Sequence, residues 1–238
     1  MSTPHYLALG DSMTIDLYPG QDAYERWGIQ ARGLGAGSLL HRNDDELFPE
    51  FRGRDLRTLR PELAFLDLSS DGATIDTVLQ RQLGRAAELG GDVAVATLTV
   101  GGNDLLLSLS RDRQAVLAAV RRVQADYRAL VPRLRAAMPR AELVLTTVYD
   151  PTDGTGCLPP HPERLPIELL KEANETIREV AEATEGARLA DAHIAFMGHG
   201  VTVAPEDRWY WPRMIIEPSA RGASELRRLW LEALGFRA

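Results

Sequence analysis

A single cysteine, Cys157, stands in 238 residues, so no intramolecular disulfide can form and a cysteine-rich zinc site is excluded. Basic residues are in deficit, 27 Lys and Arg against 34 Asp and Glu, which leaves a formal charge of −7. Such a surface repels polyanions, and no nucleic-acid partner is expected. Residues 1–10 carry no basic segment followed by a long apolar run, and no later stretch reaches the apolar length that crosses a bilayer. The expectation is a soluble, cytoplasmic protein without a membrane span. Internal repeats and low-complexity tails are absent as well.

What the chain does have is an alternation of short apolar runs and longer helical patterns, which predicts βα units and a mostly parallel sheet. Five runs read as strands: His5 to Gly10, Leu63 to Ser69, Asp92 to Val100, Glu142 to Tyr149 and Ala187 to Asp191. Their continuous apolar character suits strands covered on both faces. Between them, Val116, Val120, Val123, Tyr127, Leu130 and Leu134 recur at helical spacing, Ile75 to Leu83 and Ile167 to Ala183 read as further helices, and Ser219 is positioned to cap the last. The fold class expected is a three-layer α/β/α sandwich with a five-stranded, mostly parallel sheet. One domain spans 1–238, with a polar excursion around 17–60 that holds one short helix, and a long loop around 192–218. The Gly33 to Ser38 run, GLGAGS, has the wrong spacing for a dinucleotide fingerprint and reads as a flexible loop.

In an open α/β sheet the chemistry sits at the carboxyl ends of the strands. Three small, polar clusters fall there: Gly10-Asp11-Ser12-Met13-Thr14, Ser70-Asp71-Gly72-Ala73-Thr74 and Gly101-Gly102-Asn103-Asp104. Taken singly, each is also an ordinary turn or helix start. Their recurrence on one rim is what points to a site. A serine just past a buried strand can present its hydroxyl as a nucleophile. A glycine N–H and an asparagine amide, with the serine's own N–H, make three donors for an oxyanion.

These blocks resemble the SGNH (GDSL) hydrolase family. Gly10-Asp11-Ser12-Met13-Thr14 is similar to its nucleophile block, Gly72 to its glycine, and Gly101-Gly102-Asn103-Asp104 to its GxND block. The resemblance implies a flavodoxin-like three-layer architecture, with Ser12 as nucleophile and Gly72 and Asn103 as oxyanion donors. The closing block departs from the family. Where members read roughly D-x-x-H-P-N-x-x-G, this chain has Met214-Ile215-Ile216-Glu217-Pro218-Ser219-Ala220-Arg221-Gly222, with glutamate at the base position and methionine at the acid position. The Ser-His-Asp triad therefore does not carry over.

The proton must then go elsewhere. Glu217 itself can take it if its carboxyl is held close to Ser12 and partly desolvated. Alternatively His199, flanked by glycines, is the base and Glu217 orients it, with His193 next in line. The first assignment is preferred. His5 lies away from the rim and His161 sits among prolines, so both read as structural or solvated. Trp209, Tyr210 and Trp211 are either a substrate wall or anchors of the long loop.

The function this implies is hydrolysis of a small-molecule carboxylic ester through an acyl-enzyme, with no metal and no organic cofactor. An acyltransferase would use the same parts, and a ligand-binding protein that has lost the family histidine would keep the pocket. A two-metal phosphoesterase needs more histidine ligands than these clusters provide. The sequence does not define the acyl group or the oligomeric state.

Overall fold

The computed structural model describes residues 3–108, 113–158 and 165–237; His161 lies outside them. Five strands, β1 (His5–Gly10), β2 (Ala64–Asp67), β3 (Val93–Thr99), β4 (Glu142–Thr146) and β5 (Ala187–Ala190), form one parallel sheet in the order β2-β1-β3-β4-β5. Each falls within its expected run. Side chains alternate between the two faces as the pleat requires. Tyr6 and Ala8 of β1 join one buried cluster with Leu39, Leu226 and Trp230, whereas Leu7 and Leu9 join another with Val78, Leu130 and Ile177. Both faces of the inner strands are thus covered, which is why β1, β3 and β4 are largely apolar rather than alternating, while the edge strand β5 exposes Arg188 and Leu189.

The first face carries α1 (Leu17–Trp27), α2 (Ala36–His41) and, late in the chain, α10 (Ala220–Ala233). The second carries α4 (Ile75–Thr77), α5 (Leu83–Leu89), α7 (Arg113–Ala137) and α8 (Ile167–Ala183). The short α3 (Leu56–Leu59) precedes β2, and α6 (Gly102–Leu107) follows β3. Ser219 caps α10 by accepting the Gly222 N–H at 3.1 Å, as the sequence predicts.

The excursion at 17–60 holds more structure than the one short helix expected of it. It forms α1, α2, a 3₁₀ turn at Pro49–Phe51 and α3. The glycine-rich run is likewise not a loop throughout, since Ala36, Gly37 and Ser38 open α2. Its small residues serve packing. A Cβ on Gly37 would stand 3.0 Å from the side chains of Ala8 and Thr14, so the helix lies directly against β1. The region 192–218 is also structured, with α9 (Ala192–Phe196) and an antiparallel hairpin of β6 (Tyr210–Trp211) and β7 (Met214–Pro218).

One junction fixes the functional rim. Gly10 ends β1 at φ 116°, and a Cβ there would lie 1.8 Å from the Thr99 carbonyl oxygen. Gln82 forks onto the same residue, accepting the Gly10 N–H at 2.8 Å and donating to the Gly10 carbonyl at 2.9 Å. Gln82 closes a single π turn, Val78–Gln82, between α4 and α5, a departure from α geometry of the kind common near functional sites.

Gly10→Ala is expected to cost roughly 3 kcal/mol or more, because backbone rather than a movable side chain occupies the space. Gly84, in α5 with nothing within 4 Å of its ideal Cβ, is the control. Gly84→Ala should be neutral or stabilise by up to about 1 kcal/mol. Urea unfolding of the two variants beside the parent reads both, and equal stability would show that the Gly10 contact relaxes.

Candidate active site

The loops after β1, β2 and β3 meet at one rim and are bonded to one another. In the first, Met13 N–H donates to the Asp11 carboxylate and Thr14 N–H to the Asp11 carbonyl, both at 3.1 Å, so Ser12 stands on a tight, self-capped turn. The turn is tied to β3, since the Thr99 hydroxyl accepts the Asp11 N–H at 3.2 Å and bonds the Thr14 hydroxyl at 2.8 Å. In the second loop, Ser70 N–H donates to the Gly10 carbonyl at 3.0 Å, and Tyr18 of α1 donates its hydroxyl hydrogen to Asp71 at 3.0 Å. Gly72 lies there in the left-handed region, at φ 68°, and is exposed. The third loop is fastened to the second, with the Asn103 amide donating to the Ala73 carbonyl at 3.0 Å and the Asp104 carboxylate accepting the Ile75 N–H at 3.1 Å.

Ser12, Asn103 and Glu217 line one cleft, together with Asp11, Tyr149 and an apolar wall that includes Leu105, Val120, Ile167 and Leu170. Gly72 is outside the lining but within two hydrogen-bonded residues of Asn103, through Ala73. His199 and His193 do not line the cleft. His199 stacks flat on Trp209, centroids 3.7 Å apart and planes 4° from parallel, and its carbonyl accepts the Trp209 N–H at 3.0 Å. His193 is buried behind β4, its backbone N–H donated to Thr147 at 2.9 Å, and burial pushes its imidazole pKa down. Trp209, Tyr210 and Trp211 are all buried. Trp209 and Tyr210 pack edge to face on Phe196, and Trp211 donates its indole N–H to Glu25 of α1 at 3.1 Å. They are anchors of the hairpin and not a wall of the cleft.

Glu217 comes from β7 rather than from the helix that follows. It is 5 % exposed, and its Oε2 has no hydrogen-bond partner. Burial raises its pKa from 4.5 to about 7, and the neighbouring carboxylates of Asp11 and Asp71 push the same way, while the nearby Ser12 hydroxyl pulls it back. Ser12, itself 7 % exposed, is thus the side chain that favours the ionised form of Glu217. Asp11 is a second destabilised acid, raised by burial to about 6 against the pull of Thr99 and Met13.

Several contributors escape a reading of the sequence. Asp22 of α1 accepts the Ala220 N–H at 3.0 Å and so caps the helix that follows Glu217, although 198 positions separate the pair. Asp153, a non-glycine residue at φ 52°, accepts N–H groups of Gly198, Gly200 and Thr202 and so ties the loop holding His199 to the end of β4. Neither has a local signal. The Asp-Gly at 153–154 looks like any turn.

The sequence profile of the GDSL-like lipase/acylhydrolase family matches residues 8–224, nearly the whole chain, and the protein belongs to that family of hydrolases. Crystal structures with the same fold include an alpha/beta hydrolase enzyme from the metagenome of Lake Arreo, with 21% identity, TM-score 0.65, and 98% of this chain and 96% of that one covered. Another is an acetyl xylan esterase from Geobacillus stearothermophilus, at 17% identity and TM-score 0.64 over 100% and 97% of the two chains. A third is phospholipase A1 from Streptomyces albidoflavus, at 19% identity and TM-score 0.59 over 100% of both. No curated protein matches in sequence. Among the described residues, no helix is long and apolar enough to cross a membrane.

The raised pKa of Glu217 has a consequence for stability. Between 4.5 and about 7 the folded protein keeps a proton that the unfolded chain has released, so this group's contribution falls as pH rises through that window. Glu217→Gln removes the titration. The stability of the variant relative to the parent is expected to climb between pH 4.5 and 7 by up to roughly 3 kcal/mol and to level off above. Urea unfolding at pH 5, 6, 7 and 8 checks this, and a flat difference would mean that Glu217 is ionised throughout.

Proposed function

We propose that the protein hydrolyses small-molecule carboxylic esters, with Ser12 as nucleophile and Glu217 as general base. The observation that carries this is a buried carboxylate in the cleft whose ionised form is favoured by the serine hydroxyl and whose pKa lies at about 7. A base that titrates near the working pH combines availability with driving force for proton transfer.

In the first half of the reaction the Ser12 Oγ bonds to the ester carbonyl carbon as Glu217 takes the hydroxyl proton. The tetrahedral oxyanion is received by the Asn103 amide and the backbone N–H groups of Ser12 and Gly72, and Glu217 returns the proton to the departing alcohol. In the second half water repeats the sequence on the acyl-serine, with Glu217 again as base. The route uses no metal and no organic cofactor. The ester bonds named for the acetyl xylan esterase and the phospholipase of like fold agree with this class of bond, and the family match agrees with hydrolysis. His199 has a structural part in this reading, as the stacking partner of Trp209, and His193 is buried away from the cleft.

Ser12→Ala is expected to abolish turnover of a p-nitrophenyl ester and labelling by a fluorophosphonate while leaving the folded state intact. Glu217→Gln keeps size and one acceptor oxygen but cannot take the proton, and should lower kcat by roughly 10²–10⁴-fold. His199→Ala should lower it far less. Because the base must be ionised, kcat/KM of the parent should rise with pH through about 7, and that limb should vanish in Glu217→Gln. Full activity of Glu217→Gln, or a larger loss in His199→Ala, would move the base to another residue.

A further inference from the structure

Apart from the phenol of Tyr149, every ionisable side chain lining the cleft among the described residues is a carboxylic acid: Asp11, Asp150 and Glu217. Asp150 spends its carboxylate on its own turn, accepting from the N–H groups of Thr152 and Gly154, both at 2.8 Å. Asp11 likewise accepts the Met13 N–H at 3.1 Å, which leaves Glu217 toward the substrate, with the Asp71 carboxylate close enough to raise its pKa. Glu217 lines the cleft at 5 % exposure, and its buried Oε2 lacks any protein partner, so the fold itself does not satisfy this carboxylate.

The charge balance of the proposed reaction sharpens this. A neutral imidazole becomes a cation as it takes the serine proton, and the oxyanion forms beside a positive charge. A carboxylate base becomes neutral instead. One negative charge on Glu217 is exchanged for one on the tetrahedral oxygen, which the N–H donors receive, and among the described residues no cationic side chain lines the cleft to balance it before or after. Any ionised Asp11 adds to the excess. In a desolvated cleft an unbalanced charge is costly, and a cation on the substrate would relieve it throughout the reaction.

We infer that the cleft selects esters whose alcohol carries a positive charge, an ammonium or trimethylammonium alcohol, over neutral ones, and discriminates against alcohols bearing a sulfonate, phosphate or carboxylate. The inference rests on the Ser12 and Glu217 reading above. The wall of Leu105, Val120, Ile167 and Leu170 takes the acyl chain. During acylation the Ser12 Oγ to carbonyl bond forms, the bond to the alcohol oxygen breaks, and the serine proton leaves through Glu217 on the cationic alcohol. No other reactant is needed until water hydrolyses the acyl-serine.

Three butyrate esters separate charge from shape: butyrylcholine, its uncharged isostere 3,3-dimethylbutyl butyrate, and 3-sulfopropyl butyrate. At low ionic strength kcat/KM is expected to be roughly tenfold or more higher for the choline ester than for the isostere, and roughly tenfold or more lower for the sulfonate. In 1 M salt the spread should shrink. Asp71→Asn should lower the ratio of choline ester to isostere. Calorimetric binding of the ketone analogues of the three esters to the parent should give the same order without turnover. Equal kcat/KM for the three, or a preference for the sulfonate, overturns the inference; if Ser12→Ala abolishes that unselective turnover, the hydrolase reading stands without it. Turnover undiminished in Ser12→Ala removes the reading and the inference together.

Discussion

The Thr99 carbonyl occupies the space where a side chain at position 10 would stand, and the site is built outward from that contact. Because β1 and β3 come so close there, the Thr99 hydroxyl reaches both the Asp11 N–H and the Thr14 hydroxyl, and the nucleophile turn becomes an extension of the sheet. Gln82 clamps Gly10 from the second helical layer, and Ser70 joins the β2 loop to the same carbonyl. A hydroxyl that must meet a carbonyl carbon and a base at once gains from such rigidity, since misplacement by about 1 Å can cost two orders of magnitude in rate.

Much of this was legible in the sequence because the signals are local. Continuous apolar runs predict buried parallel strands, and the five strands fall where they do because both sheet faces are covered. The three strand-end clusters share a rim because parallel topology puts all carboxyl ends on one side. What was illegible depends on long-range contact. The helices of the excursion are short and owe their stability to packing on β1 and α10, so propensity and periodicity hardly mark them. The partners of the Glu217 region, Asp22 and Glu25, lie nearly two hundred positions earlier. The aromatic cluster at 209–211 carries no sign of which side it faces, and only the packing of Phe196 and Tyr149 against it makes it an anchor.

The cleft is also where the molecule gives up stability. Burial raises the pKa of two acids there, Asp11 adds to the rise of Glu217, and Glu217 leaves an oxygen without a partner. A fold optimised for stability alone would place a neutral group there. Elsewhere the buried charge is better provided for. The Arg227 guanidinium, fully buried, stacks 3.5 Å over the Phe51 ring and bonds Asn43 at 2.8 Å and the Ser224 hydroxyl at 2.6 Å.

The hairpin of β6 and β7 is not hydrogen-bonded into the five-stranded sheet. Side chains from α1 hold it instead: Glu25 takes the Trp211 indole and the Arg213 guanidinium, and Asp22 caps the helix beyond it. Position 217 therefore reaches Ser12 from outside that sheet, tied back to it by the Tyr149 hydroxyl, which donates to the Ile216 carbonyl at 2.8 Å. Base and nucleophile are thus carried by different parts of the fold, and position 217 takes no part in the register of the five-stranded sheet. The nucleophile turn, by contrast, is bonded directly to β3 through Thr99.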